Sequence, residues 1–93
     1  MRKKMYIAGP ISNDPDYKQK FEKAAVWSAE NGYHPVNPAD APEGLTYKEY
    51  IDRGLRYLME CDCICMLPGS ENSPGAQLER HYAELVGLPI VEL

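Results

Sequence analysis

The chain is poor in the features that mark several functional classes. It has one Phe, one Trp and two His in 93 residues. No apolar run comes near the roughly 20 residues needed to cross a bilayer, so no membrane partner is expected. Lys and Arg total 10 against 14 Asp and Glu, for a net charge of -4, and the only basic block is Arg2-Lys3-Lys4. Nonspecific affinity for a polynucleotide depends on clustered cations that neutralise phosphates, so no polynucleotide partner is expected. A mononucleotide stays within reach, because the N–H groups at a helix N-terminus hold a single phosphate whatever the net charge. His34 and His81 fall in different elements, with no further ligand at metal spacing, so neither a metal site nor a cofactor is expected. Met5-Tyr6-Ile7-Ala8 is too short for a signal-peptide core of about 7–15 residues, and the expected location is the cytoplasm. The three cysteines, Cys61, Cys63 and Cys65, alternate along one apolar run. They are expected to share one strand face as small buried residues, in the reduced form usual for a cytosolic protein.

What is present reads as one soluble domain over residues 1–93, with 44% apolar and 26% charged residues. A first strand runs from Lys4 to Ala8 and stops at Gly9-Pro10. Asn13-Asp14-Pro15 predicts a helix start with Asp14 as N-cap, and Tyr17, Phe21, Ala24, Ala25 and Ser28 follow at helical spacing up to Gly32. Tyr33–Val36 predicts a short strand and Ala39–Leu45 a loop. Thr46-Tyr47-Lys48-Glu49 has the form of a capping box, opening a helix that carries Tyr50, Ile51, Leu55, Leu58 and Met59. Asp62–Leu67 is a nearly continuous apolar run, as in a strand covered on both faces. A third helix ends near Gly87, and the last strand falls within Leu88–Leu93. This β-α-β-α-β-α-β order predicts an α/β fold: a small doubly wound, flavodoxin-like or Rossmann-like three-layer domain on a parallel four-stranded sheet.

The most informative segment is Asn72-Ser73-Pro74-Gly75-Ala76-Gln77-Leu78-Glu79. Ser73 as N-cap and Pro74 as the first helical residue place a helix N-terminus beyond the end of the third strand, where ligands of open α/β sheets bind. Ala76, Leu78, Glu79, Tyr82, Ala83, Leu85 and Val86 form the helix's apolar pattern. Glu79 stands within it, and its neighbours four positions away, Gly75 and Ala83, offer no charge. Arg80 and Glu84 form an exposed pair at that same spacing. Asp62, at a helix-to-strand junction, is expected to be structural. Tyr47, Tyr50 and Tyr57 on the second helix suit packing or an interface more than base stacking.

Four stretches, taken in order, resemble the nucleoside 2-deoxyribosyltransferase superfamily, which includes 2'-deoxynucleoside 5'-phosphate N-hydrolases. They are Tyr6-Ile7-Ala8-Gly9-Pro10-Ile11, Asn37-Pro38, Cys61-Asp62 and Ser73-x-Gly75-x-x-x-Glu79. The likeness extends from Met5 to Val91 and points to a compact branch. It implies a nucleoside or nucleotide substrate, with Glu79 as the nucleophile at the anomeric carbon and Tyr6 orienting it or the sugar. A carboxylate suits that task because it stabilises, and can bond to, an oxocarbenium-like centre. The likeness further implies that Gly9, Pro10 and Ile11 wall the pocket, with Ser73 and Gly75 at the phosphate end.

Active members of that superfamily usually carry an aspartate eight residues before the Asp of the third strand. Here the position is Gly54, in Asp52-Arg53-Gly54-Leu55. Asp52 is the substitute candidate, although it lies about 200° around a helix from Gly54. Three readings follow: an enzyme acting on N-glycosidic bonds, a nucleotide-binding module without turnover, and a protein-interaction scaffold. A homodimer or larger even-numbered assembly is expected, because the last strand and the tyrosine-rich helix would leave apolar surface on so small a domain.

Overall fold

In the computed structural model, which describes residues 1–12 and 14–93, strand β1 (Lys4–Ala8) lies at the interior of a sheet and helix α1 (Tyr17–Glu30) follows it. Next come β2 (His34–Val36), a 3-10 turn (Pro38–Asp40), α2 (Tyr47–Met59) and β3 (Cys63–Met66). A second 3-10 turn (Ser70–Asn72), α3 (Pro74–Val86) and β4 (Ile90–Glu92) complete the chain. The strands form one parallel sheet in the order β2-β1-β3-β4, pairing Tyr6 with Val36 on one side and with Ile64 on the other. The expected α/β architecture is therefore the observed one. Since the chain winds outward from β1 in both directions, the switch point lies between β1 and β3. A ligand crevice belongs there, at the carboxyl ends of those strands.

Burial follows the pleat of β1. Ile7 packs with Phe21, Ala24 and Leu67, and Met5 with Cys63, Cys65 and Trp27, on the α1 face. Tyr6 and Ala8 turn the other way, into a cluster with Leu58, Ile64, Met66, Ala76 and Ala83 that α2 and α3 cover. Alternation along the strand thus sends Tyr6 toward the two helices that follow it in the chain.

Three local expectations need correction. Helix α1 starts at Tyr17 rather than Pro15, because Asp14 Oδ1 accepts the Asp16 N–H at 2.9 Å and closes a separate turn first. Asn13, part of the expected start, lies outside the described residues. The cysteines do not share a face. Cys63 and Cys65 pack beneath α1, whereas Cys61 precedes the strand, joins the opposite cluster and sends its Sγ–H to the Tyr57 carbonyl. On α3 the buried face is narrower than the apolar pattern: Ala76 and Ala83 are buried, but Leu78, Leu85 and Val86 are 43%, 72% and 55% exposed.

Two caps formed as read. Thr46 Oγ1 accepts the Glu49 N–H at 3.1 Å while Glu49 Oε1 accepts the Thr46 N–H at 3.0 Å. Ser73 Oγ accepts the Ala76 N–H at 3.3 Å, with Pro74 as the first residue of α3. Asp62 is structural: its Oδ2 accepts the Lys4 N–H at 2.8 Å and ties the approach to β3 onto the start of β1.

Candidate active site

A cavity of about 490 Å³ opens at the switch point, bounded by the ends of β1, the first turns of α3 and one face of α2. At its base the Tyr6 hydroxyl donates to Glu79 Oε2 at 2.5 Å. The two residues are far apart in the chain. Tyr6 reaches the site because it occupies the α2/α3 face of a central strand, where it is 1% exposed. Glu79 reaches it because helical side chains lean toward the helix N-terminus, which aims a second-turn carboxylate back over the end of β1. The expected inward-facing carboxylate therefore has a partner, but a neutral one.

Their surroundings set the chemistry. Burial strips water from the Glu79 carboxylate and lifts its pKa to about 7, while the hydrogen bond from Tyr6 pulls it part of the way back. Burial, and then the adjoining Glu79 charge, push the Tyr6 phenol well above its ordinary value. At neutral pH the phenol keeps its proton and donates it to a carboxyl poised between its two forms. Such a group is weakly solvated, and it can serve as nucleophile, as general base, or as the counter-charge to a developing cation.

Helix α2 closes directly on this pair at Gly54. A Cβ at that position would come within 2.7 Å of Glu79 Oε2 and 2.8 Å of the Tyr6 hydroxyl. Glycine inside a helix costs about 1 kcal/mol relative to Ala, and here the missing side chain leaves room for Glu79 Oε2 and the Tyr6 hydroxyl. Spacing along the chain picks out this position, but only the packing of α2 against α3 brings it to the carboxylate.

Of the other residues singled out from the sequence, Gly9, Ile11, Ser73 and Gly75 line the cavity. Pro10 does not; it packs against the turn at Gly69. Asp52 does not either, because its carboxylate faces outward and pairs with Lys48 at 2.6 Å. Sequence reasoning missed Arg53, Tyr17 and Leu45 and underrated Tyr47 and Tyr50, all of which line the cavity. Arg53 donates to the Pro38 carbonyl at 3.4 Å, approaches Asp40 at 3.7 Å and lies 4.8 Å from the centre of the Tyr57 ring. Tyr57 itself packs on the core, as expected for that residue. Among the described residues, no three His, Cys, Asp or Glu side chains cluster as metal ligands. No helix of the described residues is long and apolar enough to cross a membrane.

Comparison with known proteins adds the following. No curated protein sequence matches the chain. A solved structure of the 2-deoxyribosyltransferase from the psychrotolerant bacterium Bacillus psychrosaccharolyticus has a TM-score of 0.73 against it. The match covers 96% of this chain and 70% of that one at 18% sequence identity, a likeness of fold. At the level of sequence, residues 3–92 match the domain family DUF4406, a domain of unknown function, and the chain belongs to that family.

Proposed function

We propose that the protein cleaves, or exchanges the base across, the N-glycosidic bond of a nucleoside or nucleoside 5'-monophosphate, with Glu79 as nucleophile. The observation that carries this reading is the Tyr6–Glu79 hydrogen bond at the base of the switch-point cavity. In this mechanism the ionised Glu79 attacks the anomeric carbon as the base departs. The glycosyl-Glu79 ester is then resolved by water or by a second base. The Tyr6 hydroxyl holds the attacking carboxylate in place. Ile11 and Gly9 wall the sugar region, and Ser73 and Gly75 present the N-terminus of α3 to a 5'-phosphate. The shared fold with a 2-deoxyribosyltransferase supports the choice of substrate class. The reading treats residues 1–93 as one deoxyribosyltransferase-like domain working in the cytoplasm.

It also includes self-association. Leu78, Leu85 and Val86 form an exposed apolar stripe on α3, and Tyr47, Met59 and Leu93 are exposed as well. A second copy covering such surface, and closing the cavity, is the expected arrangement. Base release from deoxynucleosides and their 5'-monophosphates, with and without an acceptor base, tests the activity. Release by wild type and not by Glu79→Gln is the expected result, and background release from both would remove catalysis.

Gly54 favours a second reading, a nucleotide-binding module without turnover, because it replaces the aspartate that active members of the resembled superfamily usually carry. Calorimetry would then show nucleotide binding, weakened by Ser73→Ala, with no base released at any enzyme concentration.

A further inference from the structure

Among the described residues, the cavity lining is mostly aromatic and aliphatic, with the hydroxyls of Ser12 and Ser73, the Arg53 guanidinium and one carboxylate, that of Glu79. Its titratable side chains are Glu79, Arg53 and the tyrosines Tyr6, Tyr17, Tyr47 and Tyr50. Glu79 is committed to the anomeric carbon in the proposed reaction. The Tyr6 proton is already given to Glu79. Arg53 is a guanidinium held by Asp40 and the Pro38 carbonyl, and the remaining groups are phenols rather than carboxyls or imidazoles. On α2, a Cβ at Gly54 would overlap Glu79 Oε2 and the Tyr6 hydroxyl at 2.7 and 2.8 Å. A side chain at this position, a second carboxylate included, would collide with the pair already there. Elsewhere the cavity is lined by Tyr17, Tyr47 and Tyr50, and aromatic rings attract cations. The positive charge of Arg53 is engaged by Asp40, the Pro38 carbonyl and the Tyr57 ring.

From this arrangement we infer that the substrate is a nucleoside or nucleotide whose base is a cationic heterocycle, of the pyridinium or N-alkylpurine class, which leaves without a proton from the protein. The inference rests on the glycosidase reading of Glu79 and names the substrate class for that site. In the first step a Glu79 oxygen bonds to the anomeric carbon while the carbon–nitrogen bond breaks, its electron pair passing to the ring nitrogen. With a neutral base that pair makes an anion, which needs a proton in order to leave. With a cationic base the same pair cancels the existing charge, and a neutral heterocycle departs. Water then attacks the anomeric carbon of the glycosyl ester, the carbon–oxygen bond to Glu79 breaks to regenerate the carboxylate, and the water's extra proton passes to solvent.

The test uses matched substrates: 2'-deoxyguanosine beside its N7-methyl cation, nicotinamide riboside beside neutral ribonucleosides, and the 5'-monophosphate of each. Positioned general acids contribute about 10²–10⁴-fold, so a site without one should favour the cationic member of each pair by at least about 10²-fold in kcat/KM. That preference, abolished in Glu79→Gln and accompanied by an unchanged fold in circular dichroism, supports the inference. Comparable kcat/KM for both members, lost in Glu79→Gln, overturns the cationic class and leaves the glycosidase reading standing. Release of neither base above the Glu79→Gln background removes both. A substituted pyridinium series gives an independent readout: kcat/KM should fall steeply as the leaving group becomes more basic, and a flat series overturns the inference.

Discussion

Replacing Glu79 with Gln should raise stability by about 3 kcal/mol at about pH 8 and change it little at about pH 4. Gln keeps the shape of the side chain and can still accept the Tyr6 hydrogen bond, but it cannot ionise. The folded chain holds the Glu79 proton up to about pH 7, while the unfolded chain releases it near 4.5. At about 1.4 kcal/mol per pKa unit, that interval makes the ionised native state about 3 kcal/mol less stable than the protonated one. The sign follows from burial: the folded state binds the proton more tightly, so stability is full below the unfolded value and declines as pH rises toward 7.

Two exposed carboxyls act in the opposite direction. Asp14 is held below the usual range by its bond from Lys20, and Glu49 by the Thr46 N–H. Their stabilisation is present above the unfolded carboxylate range and is lost as pH falls. It is common to both proteins and drops out of the difference. Urea unfolding of the two proteins across this range reads the difference directly. In thermal melts it corresponds to roughly 12–24 °C at the upper pH, given about 4–8 °C per kcal/mol for a domain of this size. A difference that stays flat between the two pH values would show Glu79 titrating as an ordinary surface carboxylate. It would refute the desolvation argument and, with it, the poised nucleophile.

The pH dependence of turnover should follow the same group: kcat/KM for base release should rise with pH through about 7 as Glu79 ionises, and a profile that falls over this range would contradict the nucleophile role. Gly54→Ala adds a methyl where only 2.7 Å separates it from Glu79 Oε2; despite a helix-propensity gain of about 1 kcal/mol, it should lower the melting temperature and abolish turnover. Ser73→Ala removes the cap on Ala76 and should cost about 1 kcal/mol, measurable by urea unfolding, while weakening 5'-monophosphates more than nucleosides in calorimetry. Light scattering at micromolar concentration should give at least twice the 10.5 kDa of one chain, and Leu78→Lys with Leu85→Lys should return it to the single-chain mass; a wild-type mass of one chain would sink the assembly.

Local signals decided a good part of this protein. The parallel order of elements was readable because its punctuation is chemical and short-range: a capping box at Thr46–Glu49, Ser73-Pro74 opening α3, and an unbroken apolar run for a buried strand. The Glu79 position was readable because a charged residue inside an apolar helical pattern stands out without knowledge of its neighbours. Where local competition is close, pattern alone does not decide: the Asp14 side chain closes a turn before the helix can begin. Strand alternation does not reach Cys61, which precedes β3 and packs on the opposite side from Cys63 and Cys65.

The resemblance implies Tyr6 at the site with Glu79, but the contact itself, and which other residues stay away, only the tertiary structure decides. Tyr6 is the partner of Glu79 because β1 is an inner strand whose pleat turns that residue toward α3. Asp52 stays away because helix geometry commits it to the outward face beside Lys48. The contact of Gly54 with the reactive pair, and the apolar stripe that α3 leaves uncovered, depend on how closely separate helices approach one another. That distance is set by the packing of side chains distant in sequence, and no spacing along the chain encodes it.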